Sequence, residues 1–538
     1  MSPVEVPLTP LRFLERSERL YGGKEAIVCG ETRLTYAQYA GRVRRLTAVL
    51  SDRLGVRRGD RILYLGMNCH RLLELYYAVL PLGAILVPVN IRLSPAEVSF
   101  ILHDAEPVAL FASPELLPLV GSLDEPPSVR HHVLVYRGAD GQLPGGWLEF
   151  DPLLEEAEER PLGLPPDERE VVEVFYTSGT TGRPKGVMLT HRNLYLHALS
   201  AVLALQLDDS ERMIVGTVPL FHVNAWGTPQ FMVAAGGTQI VVPRFDPELF
   251  ARAVEREKAR TALMVSTMLN ALLNYPDRSR YDLSSLRQIV LGGAPVAYEL
   301  VRRARQELGC LVRVGYGLTE TCPIVSVSVI KSTLADRPQE ELDRRLAMTG
   351  LPLLGNEVRV VHEDGSEVAW DGQDVGEIQV RGDNVMAGYW KRPEETAAAF
   401  AEGWFRTGDL AVVDPEGYLN IVDRKKDIII SGGENISSIE VEDVLYTHPA
   451  VLEAAVLGAP DPQWGEVPVA VVVLRPGTQA SEQELIGYAR DRLAHFKAPR
   501  RVIFASELPK TGTGKIVKAE LRKTYFGRSE AVNAAGEG

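Results

Sequence analysis

The chain has 538 residues, 45% hydrophobic and 24% charged, the composition of a globular protein too long for a single core, so two to four domains are expected. Its 58 basic and 71 acidic residues leave a formal charge of −13, which argues against nucleic acid as a partner and requires an anionic ligand to be held by a local cluster of donors. Cys29, Cys69, Cys310 and Cys322 stand far apart, with neither CxxC pairing nor zinc spacing, as buried thiols in a reducing compartment do.

In chain order, Thr35 and Gln38 form a capping box for a helix carrying Tyr39, Val43, Leu46, Leu50 and Leu54 on one face. A strand over 61–65, a helix over 70–82 and a strand over 84–89 follow. The apolar stretch from Tyr76 to Val89 contains Pro81, Gly83 and Pro88, and is shorter than the ~20 residues a bilayer-spanning helix needs. The N-terminus is charged, punctuated by proline and without a signal core, so no transmembrane segment and a cytoplasmic location are expected. SPAE at Ser94 supplies a cap, a proline at the first helical position and an early carboxylate, and a strand follows at 108–112. This alternation implies parallel sheet with helices on its faces. It resumes over 194–314, with strands at 212–218, 239–242, 262–265 and 288–291. From 350 to 422 the texture becomes short strands and turns, at 357–361, 377–380 and 418–421. After the charged run 423–427 a compact α+β unit opens with a helix capped by Ser437 and Glu440. Strands at 454–457 and 467–474 and a helix over 481–493 complete it. The expected fold is α/β: an N-terminal domain, 1–424, of parallel or mixed sheets with flanking helices and a small β-rich subdomain, then a small α+β C-terminal domain, 425–538.

The stretch TSGTTGRPKG, from Thr177 to Gly186, packs hydroxyls, glycines and a lysine behind an apolar strand. Glycines let backbone N–H groups approach a phosphate, and hydroxyls and lysine add donors and charge. The P-loop pattern GxxxxGK[ST] is absent: counted from Gly179, Pro184 takes the place of the second glycine, and Gly186 follows Lys185. A flexible surface loop is the alternative for such a composition. In YGLTET, Tyr316 offers an aromatic face, Thr319 a hydroxyl and Glu320 a hard carboxylate suited to magnesium, with core packing and helix capping as the alternatives. Asp409, in an expected turn at FRTGD, offers acceptors for ribose hydroxyls or an Asx turn. Lys515, in TGTGKI, is a point charge between a glycine pair and an apolar strand start.

Six motifs, YTSGTTGRPKGV from Tyr176, GGAP from Gly292, YGLTET from Tyr316, FRTGD from Phe405, DRKKDIIISGGENIS from Asp423 and PKTGTGKI from Pro509, occur in one order over most of the chain. Together they resemble the adenylate-forming enzymes: acyl-CoA synthetases, firefly luciferase and peptide-synthetase adenylation domains. The resemblance implies ATP, Mg2+ and CoA as ligands. It implies a phosphate loop of Thr177, Ser178, Gly179, Thr180, Thr181, Gly182 and Lys185, with Lys185 on the β- and γ-phosphates, and a cavity lined by Gly293, Ala294 and Pro295. It assigns adenine to Tyr316 beside Gly317, the α-phosphate to Thr319, magnesium to Glu320, and ribose to Asp409 with Arg424. Lys515 is placed over the acyl carboxylate and α-phosphate, where attack of anion on anion needs a fixed cation worth about 3 kcal/mol or more. The site then closes between domains, and the small domain is mobile about a hinge at Lys426. Its rotation brings Ser431, Gly432, Gly433 and Glu434 to the pantetheine tunnel.

Amino-acid-activating relatives carry an aspartate in the segment 221–226 to pair the substrate ammonium; here His222 takes its place and no acid lies nearby. A buried ammonium without a counter-ion is costly, which disfavours an amino acid. The resemblance places His222, otherwise a core histidine, where carboxylate and thiol tunnel meet, and Val223, Trp226, Met268, Gly293 and Gly315 about the acyl chain. Ala225, Met264 and Leu269 are further apolar candidates for that wall. HVNAW with SGGENIS resembles bacterial medium- and long-chain fatty acyl-CoA synthetases, in which the tryptophan gates the acyl tunnel. A Trp226 packed as core would instead shorten the pocket and suit an aryl or alicyclic acid. The implied reaction converts acid and ATP to acyl-AMP and pyrophosphate, then to a CoA thioester and AMP. Transfer to a carrier protein, a non-catalytic nucleotide-binding module and a homodimer stay open at this point.

Overall fold

A computed structural model describes residues 5–139, 141–165, 167–177, 184–424, 427–432, 434–510 and 516–527. One nine-stranded sheet takes the order Leu351–Pro352, Ile324–Val327, Leu311–Gly317, Gln288–Gly292, Thr261–Met264, Arg212–Val215, Thr238–Val241, Glu25–Cys29, Thr32–Thr35. Its central strands, from Leu311–Gly317 to Glu25–Cys29, run parallel. An eight-stranded sheet takes the order Gly388–Tyr389, Lys185–Thr190, Val171–Thr177, Ile85–Pro88, Arg61–Leu65, Ala109–Ala112, His131–Leu134, Leu148–Glu149. It is parallel except where Lys185–Thr190 pairs with its two neighbours.

Strand alternation sends Ile27, Leu263 and Val290 of the first sheet and Ile62, Leu86 and Val172 of the second into one shared core. The helices Leu11–Tyr21, Tyr36–Ala48, His70–Ala78, His191–Leu205 and Val223–Ala235 fill the space between the sheets. Each large side chain fully buried there contributes about 1.5–3 kcal/mol. The opposite face of the nine-stranded sheet, with Met264, Ile289 and Leu291, is covered by Pro247–Glu257 and Tyr298–Leu308. The opposite face of the eight-stranded sheet is covered by Pro95–Ala105. The arrangement is therefore helix, sheet, helix, sheet, helix.

A five-stranded β-rich sheet follows, built on Asn356–Val361, Gly376–Gly382, Trp404–Val413, Phe400–Ala401 and Leu419–Arg424. The C-terminal sheet combines Glu434–Ile436, Ile429–Ser431, Gly465–Leu474, Val451–Asp461 and Arg501–Phe504. Ser438–Tyr446 and Glu482–Arg490 pack on one of its faces and Lys518–Phe526 on the other. Among the described residues, no helix is long and apolar enough to cross a membrane. All four cysteines are free, and three of them are buried.

The capping box expected at Thr35 forms, and the cap expected at Ser94 forms a box with Glu97, because each cap hydroxyl accepts from the third helical N–H and the side chain there returns the bond. Two expectations change. The helix expected over 70–82 ends at Ala78 and continues as the tight turn Leu80–Leu82, since Pro81 has no N–H to extend it. FRTGD is not a turn. It lies inside the strand Trp404–Val413, whose register against Gly376–Gly382 slips between Glu377 and Gln379, with Gly408 at φ +71°. This bulge redirects Asp409, which is the usual consequence of inserting residues in one strand only.

Candidate active site

The candidate residues gather at the carboxyl ends of the parallel strands Gln288–Gly292 and Leu311–Gly317, the end of the sheet at which open α/β folds receive ligands. Tyr316 stands near the end of the second strand. Its hydroxyl donates to Asp409 Oδ2 at 2.8 Å, and Asp409 Oδ1 accepts from Arg424 Nε at 2.9 Å. Asp409 and Arg424 are cross-strand partners, so the bulge and the hairpin register together hold the carboxylate. Burial, then the nearby Asp409 charge, push the Tyr316 hydroxyl far above its ordinary pKa and keep it a donor. The structure thus brings Tyr316, Asp409 and Arg424 into one cluster.

Thr319 and Glu320 open the tight turn Thr319–Thr321 that follows. A side chain at Gly317 would drive its Cβ into the Pro323 carbonyl oxygen, so the backbone can make this close approach only with glycine. Burial raises the Glu320 carboxyl, whose Oε1 accepts from the Tyr389 hydroxyl at 2.9 Å. Tyr389 lies on the edge strand that pairs with Lys185–Thr190. The Lys185 ammonium sits 5.3 Å from the Tyr389 ring centroid and pairs with Glu395. Lys185 and Glu320 therefore meet across Tyr389, and Thr177 faces Lys185 in the hairpin register. Sequence reading missed Tyr389 and Glu395, which lie far downstream in no recognised motif and arrive only through strand pairing. Ser178, Gly179, Thr180, Thr181 and Gly182 lie outside the described residues.

Next to this cluster, Gly292 pairs with Gly315 across the two strands. A Cβ on Gly292 would lie 2.8 Å from the Gly315 carbonyl oxygen and 2.8 Å from Trp226 Cη2. The indole edge of Trp226 thus rests against bare backbone, and Trp226 is 7% exposed. It is carried by a left-handed run, with φ of 37° at Val223, 45° at Asn224, 47° at Ala225, 62° at Trp226 and 89° at Gly227. Each non-glycine residue there costs roughly 1–2 kcal/mol, a strain more often kept at functional sites than elsewhere. His222 enters this run with its carbonyl accepting from Ala225 N at 3.1 Å. Val223 and Ala225 pack in the same core as Trp226, and Met268 is half-buried against it. Met264 and Leu269 belong to the core on the opposite face of the nine-stranded sheet and do not join this wall. Strand alternation puts Val265 there instead, 3.7 Å from where a Gly293 Cβ would stand. Beyond Gly293 and Ala294, the Pro295 carbonyl accepts from Ser266 Oγ at 3.3 Å.

In the C-terminal sheet, Ser431 and Glu434 face each other at a tight hairpin, and Gly432 N donates to the Trp464 carbonyl at 2.8 Å. The described hydrogen bonds of this hairpin stay within its own sheet, so it does not join the Tyr316 cluster. Lys426, Gly433 and Lys515 lie outside the described residues. Asp423, next to Arg424, accepts from Ser438 N at 2.8 Å and Ser438 Oγ at 2.7 Å. Arg475 donates to Asn274 at 2.9 Å, and Asn270 to the Leu452 carbonyl at 3.4 Å, which places the C-terminal sheet against the segment carrying Met268.

The donor set suits magnesium that arrives with a polyphosphate. Among the described residues, no group of three or more His, Cys, Asp and Glu side chains forms a cage. One oriented carboxylate, Glu320, would leave the other positions of a magnesium ion to phosphate and water, as Mg2+ prefers.

A family model described as AMP-binding enzyme matches residues 14–390, and one described as AMP-binding enzyme C-terminal domain matches 440–515. A long-chain-fatty-acid–CoA ligase of Thermus thermophilus is 41% identical over 522 residues, which cover 95% of each chain. A feruloyl-CoA synthase of an Amycolatopsis species is 40% identical over 514 residues, 95% of this chain and 98% of its own. Among solved structures, the anthranilate CoA ligase AuaEII in complex with anthranoyl-AMP matches with a TM-score of 0.87 at 28% identity, covering 97% of this chain and 98% of that one.

Proposed function

The chain belongs to the AMP-binding enzymes and is an acid–thiol ligase using ATP and CoA, and we propose that its acid is a hydrophobic carboxylate seated against Trp226 and the Gly292–Gly293 turn. One observation carries the reading. The continuous run Gly315 to Glu320 meets Gly292 and the Trp226 wall at one end, the Tyr316–Asp409–Arg424 cluster in the middle and the Glu320–Tyr389–Lys185 group at the other. An acyl chain, a nucleoside and a polyphosphate follow one another in that order in an acyl adenylate and its leaving group.

In this reading Tyr316 flanks adenine and the Asp409 carboxylate accepts from ribose, steadied by Arg424. Thr319 meets the α-phosphate, and the phosphate loop with Lys185 holds the outer phosphates. Magnesium on Glu320 would neutralise phosphate charge. A carboxylate oxygen attacks the α-phosphorus, the α–β bridging P–O bond breaks, and pyrophosphate leaves with the electron pair. The thiol sulfur of CoA then attacks the acyl carbon and AMP leaves. Lys515 serves the first step, and rotation of residues 425–538 about Lys426 exposes the Ser431–Glu434 hairpin for the second. His222, at the mouth of the left-handed run, borders the carboxylate.

Medium- or long-chain fatty acids are the first candidates, in keeping with the Thermus relative. The tight seating of Trp226 on Gly292 favours a second reading, an aryl or alicyclic acid, for which the feruloyl and anthranilate relatives are models. Pyrophosphate release with ATP, Mg2+ and a panel of straight-chain, aryl and amino acids separates the two. Lys515→Ala should lower acid-dependent pyrophosphate release by on the order of a hundredfold while ATP still binds. Unchanged release would remove the lysine from the adenylation step.

A further inference from the structure

Beneath the acid-binding turn lies a carboxyl that the ligase chemistry does not use. Glu173, on the strand Val171–Thr177, is fully buried. Its Oε2 accepts from Asn224 Nδ2 at 2.7 Å and its Oε1 from Gln230 Nε2 at 2.9 Å. Asn224 belongs to the left-handed run, two residues before Trp226, and Gln230 lies further along the same helix. Both amides are themselves buried, and their oxygens, Asn224 Oδ1 and Gln230 Oε1, have no partner among the described residues.

This arrangement is expensive. Three polar side chains in an apolar core cost stability unless fully bonded, and the backbone strain of the run adds to that. Apolar packing alone does not account for a carboxyl at this buried position. The two ends of the run do. Glu173 belongs to the eight-stranded sheet, while Trp226 rests on Gly292 of the nine-stranded sheet. The run spans the gap between them, so a fixed point at one end determines where the indole sits at the other. Among the described residues, the Tyr76 and Tyr77 hydroxyls donate to flanking carbonyls, those of Leu220 and Pro229. Among the described residues, Glu173 is the group that grips a side chain within the run itself.

We propose that Glu173 is a positioning residue for acid specificity: by clamping Asn224 it holds Trp226 against Gly292 and so sets the depth of the acyl pocket. This rests on the reading of Trp226 as a pocket wall. Burial pushes the Glu173 carboxyl up to about 8, so near neutral pH it can donate as well as accept, and a turned amide of Asn224 or Gln230 can receive its proton. Glutamine offers the same pair of roles, whereas leucine offers neither.

The test compares wild type, Glu173→Leu and Glu173→Gln across straight-chain acids of increasing length, with KM for ATP measured in parallel. Glu173→Leu should lower kcat/KM for the preferred acid on the order of tenfold, move the optimum length, and leave KM for ATP within about twofold. Glu173→Gln should keep the wild-type optimum. If Glu173→Leu does not fold, Asn224→Ala breaks the same clamp from the other side and should shift the optimum alike. An active Glu173→Leu or Asn224→Ala enzyme with the wild-type optimum overturns the proposal, as does a uniform loss over all lengths, which marks a merely structural role. Failure of the wild type to adenylate any hydrophobic acid, read first and independently of the variants, overturns the underlying functional reading as well.

Discussion

Replacing Trp226 by alanine tests the acid pocket at its wall. The side chain is nearly buried, lies against the Gly292 backbone and is held there by a strained run, so nothing of similar size can slide into its place. A buried tryptophan covers ~150–250 Å², which at ~25 cal/mol per Å² corresponds to roughly 4–6 kcal/mol for a chain that refills the space. One methylene is worth ~0.8 kcal/mol, roughly fourfold in kcat/KM, so the vacated volume accommodates an extension of about five to seven methylenes. Trp226→Ala should therefore move the optimum to longer acids, gaining roughly fourfold per added methylene until the space is filled. Acids that fit the wild type should lose, because a cavity beside them forfeits contacts. The assay is kcat/KM from pyrophosphate release for each acid, with CoA and ATP saturating. An active variant with an unchanged optimum and unchanged KM for short acids would refute the placement of Trp226 in the pocket.

Asp409→Asn removes the charge that accepts from Tyr316 and Arg424. Hydrogen bonds to a charged group are worth about 1.5–3 kcal/mol, so KM for ATP should rise on the order of tenfold to a hundredfold, and a KM that does not move would reject the ribose assignment. Gly317→Ala should cost about 3 kcal/mol or more, because its Cβ meets backbone oxygen that has no rotamer to yield; an unaltered denaturation midpoint would contradict the close approach. The buried Glu173 predicts a pH dependence of stability. Its carboxyl is held near 8 in the fold against about 4.5 when exposed, so the fold binds the extra proton between those values. Stability from this group is complete below the lower value and falls by ~1.4 kcal/mol per pH unit as pH rises toward the upper one. Tyr76, Tyr77 and Cys322 face it, and burial holds all three far above that window. Chemical denaturation should therefore show wild type losing about 2.7 kcal/mol relative to Glu173→Gln over two pH units within the window, and parallel curves would contradict the buried, protonated state.

Much of the scaffold was legible because it depends on local signals. The caps at Thr35, Ser94 and Ser437 mark helix starts within a residue, since each satisfies a backbone N–H group of the first turn. Strands such as Arg61–Leu65 announce themselves as short apolar runs. Features that depend on pairing between distant segments were not legible. The bulge that turns FRTGD into strand exists only against Gly376–Gly382. Tyr389 and Glu395 join Glu320 and Lys185 only because an edge strand adds to the hairpin of Val171–Thr177 and Lys185–Thr190. The face of a strand residue is decided by register, which is why Met264, expected at the acyl wall, packs in the core on the opposite face while its neighbour Val265 lies beside Gly293. The clamp of Glu173 on Asn224 and Gln230 likewise has no local signature, for an isolated glutamate in a strand reads as a solvent-facing residue.

The most direct measurement of the central claim is made on the wild-type enzyme with ATP, Mg2+ and hydrophobic carboxylic acids, with and without CoA. Pyrophosphate should appear only when acid is present, and AMP and a CoA thioester should accumulate together only when CoA is added. Pyrophosphate release that ignores the acid, or an amino acid outperforming every hydrophobic acid, would contradict the account.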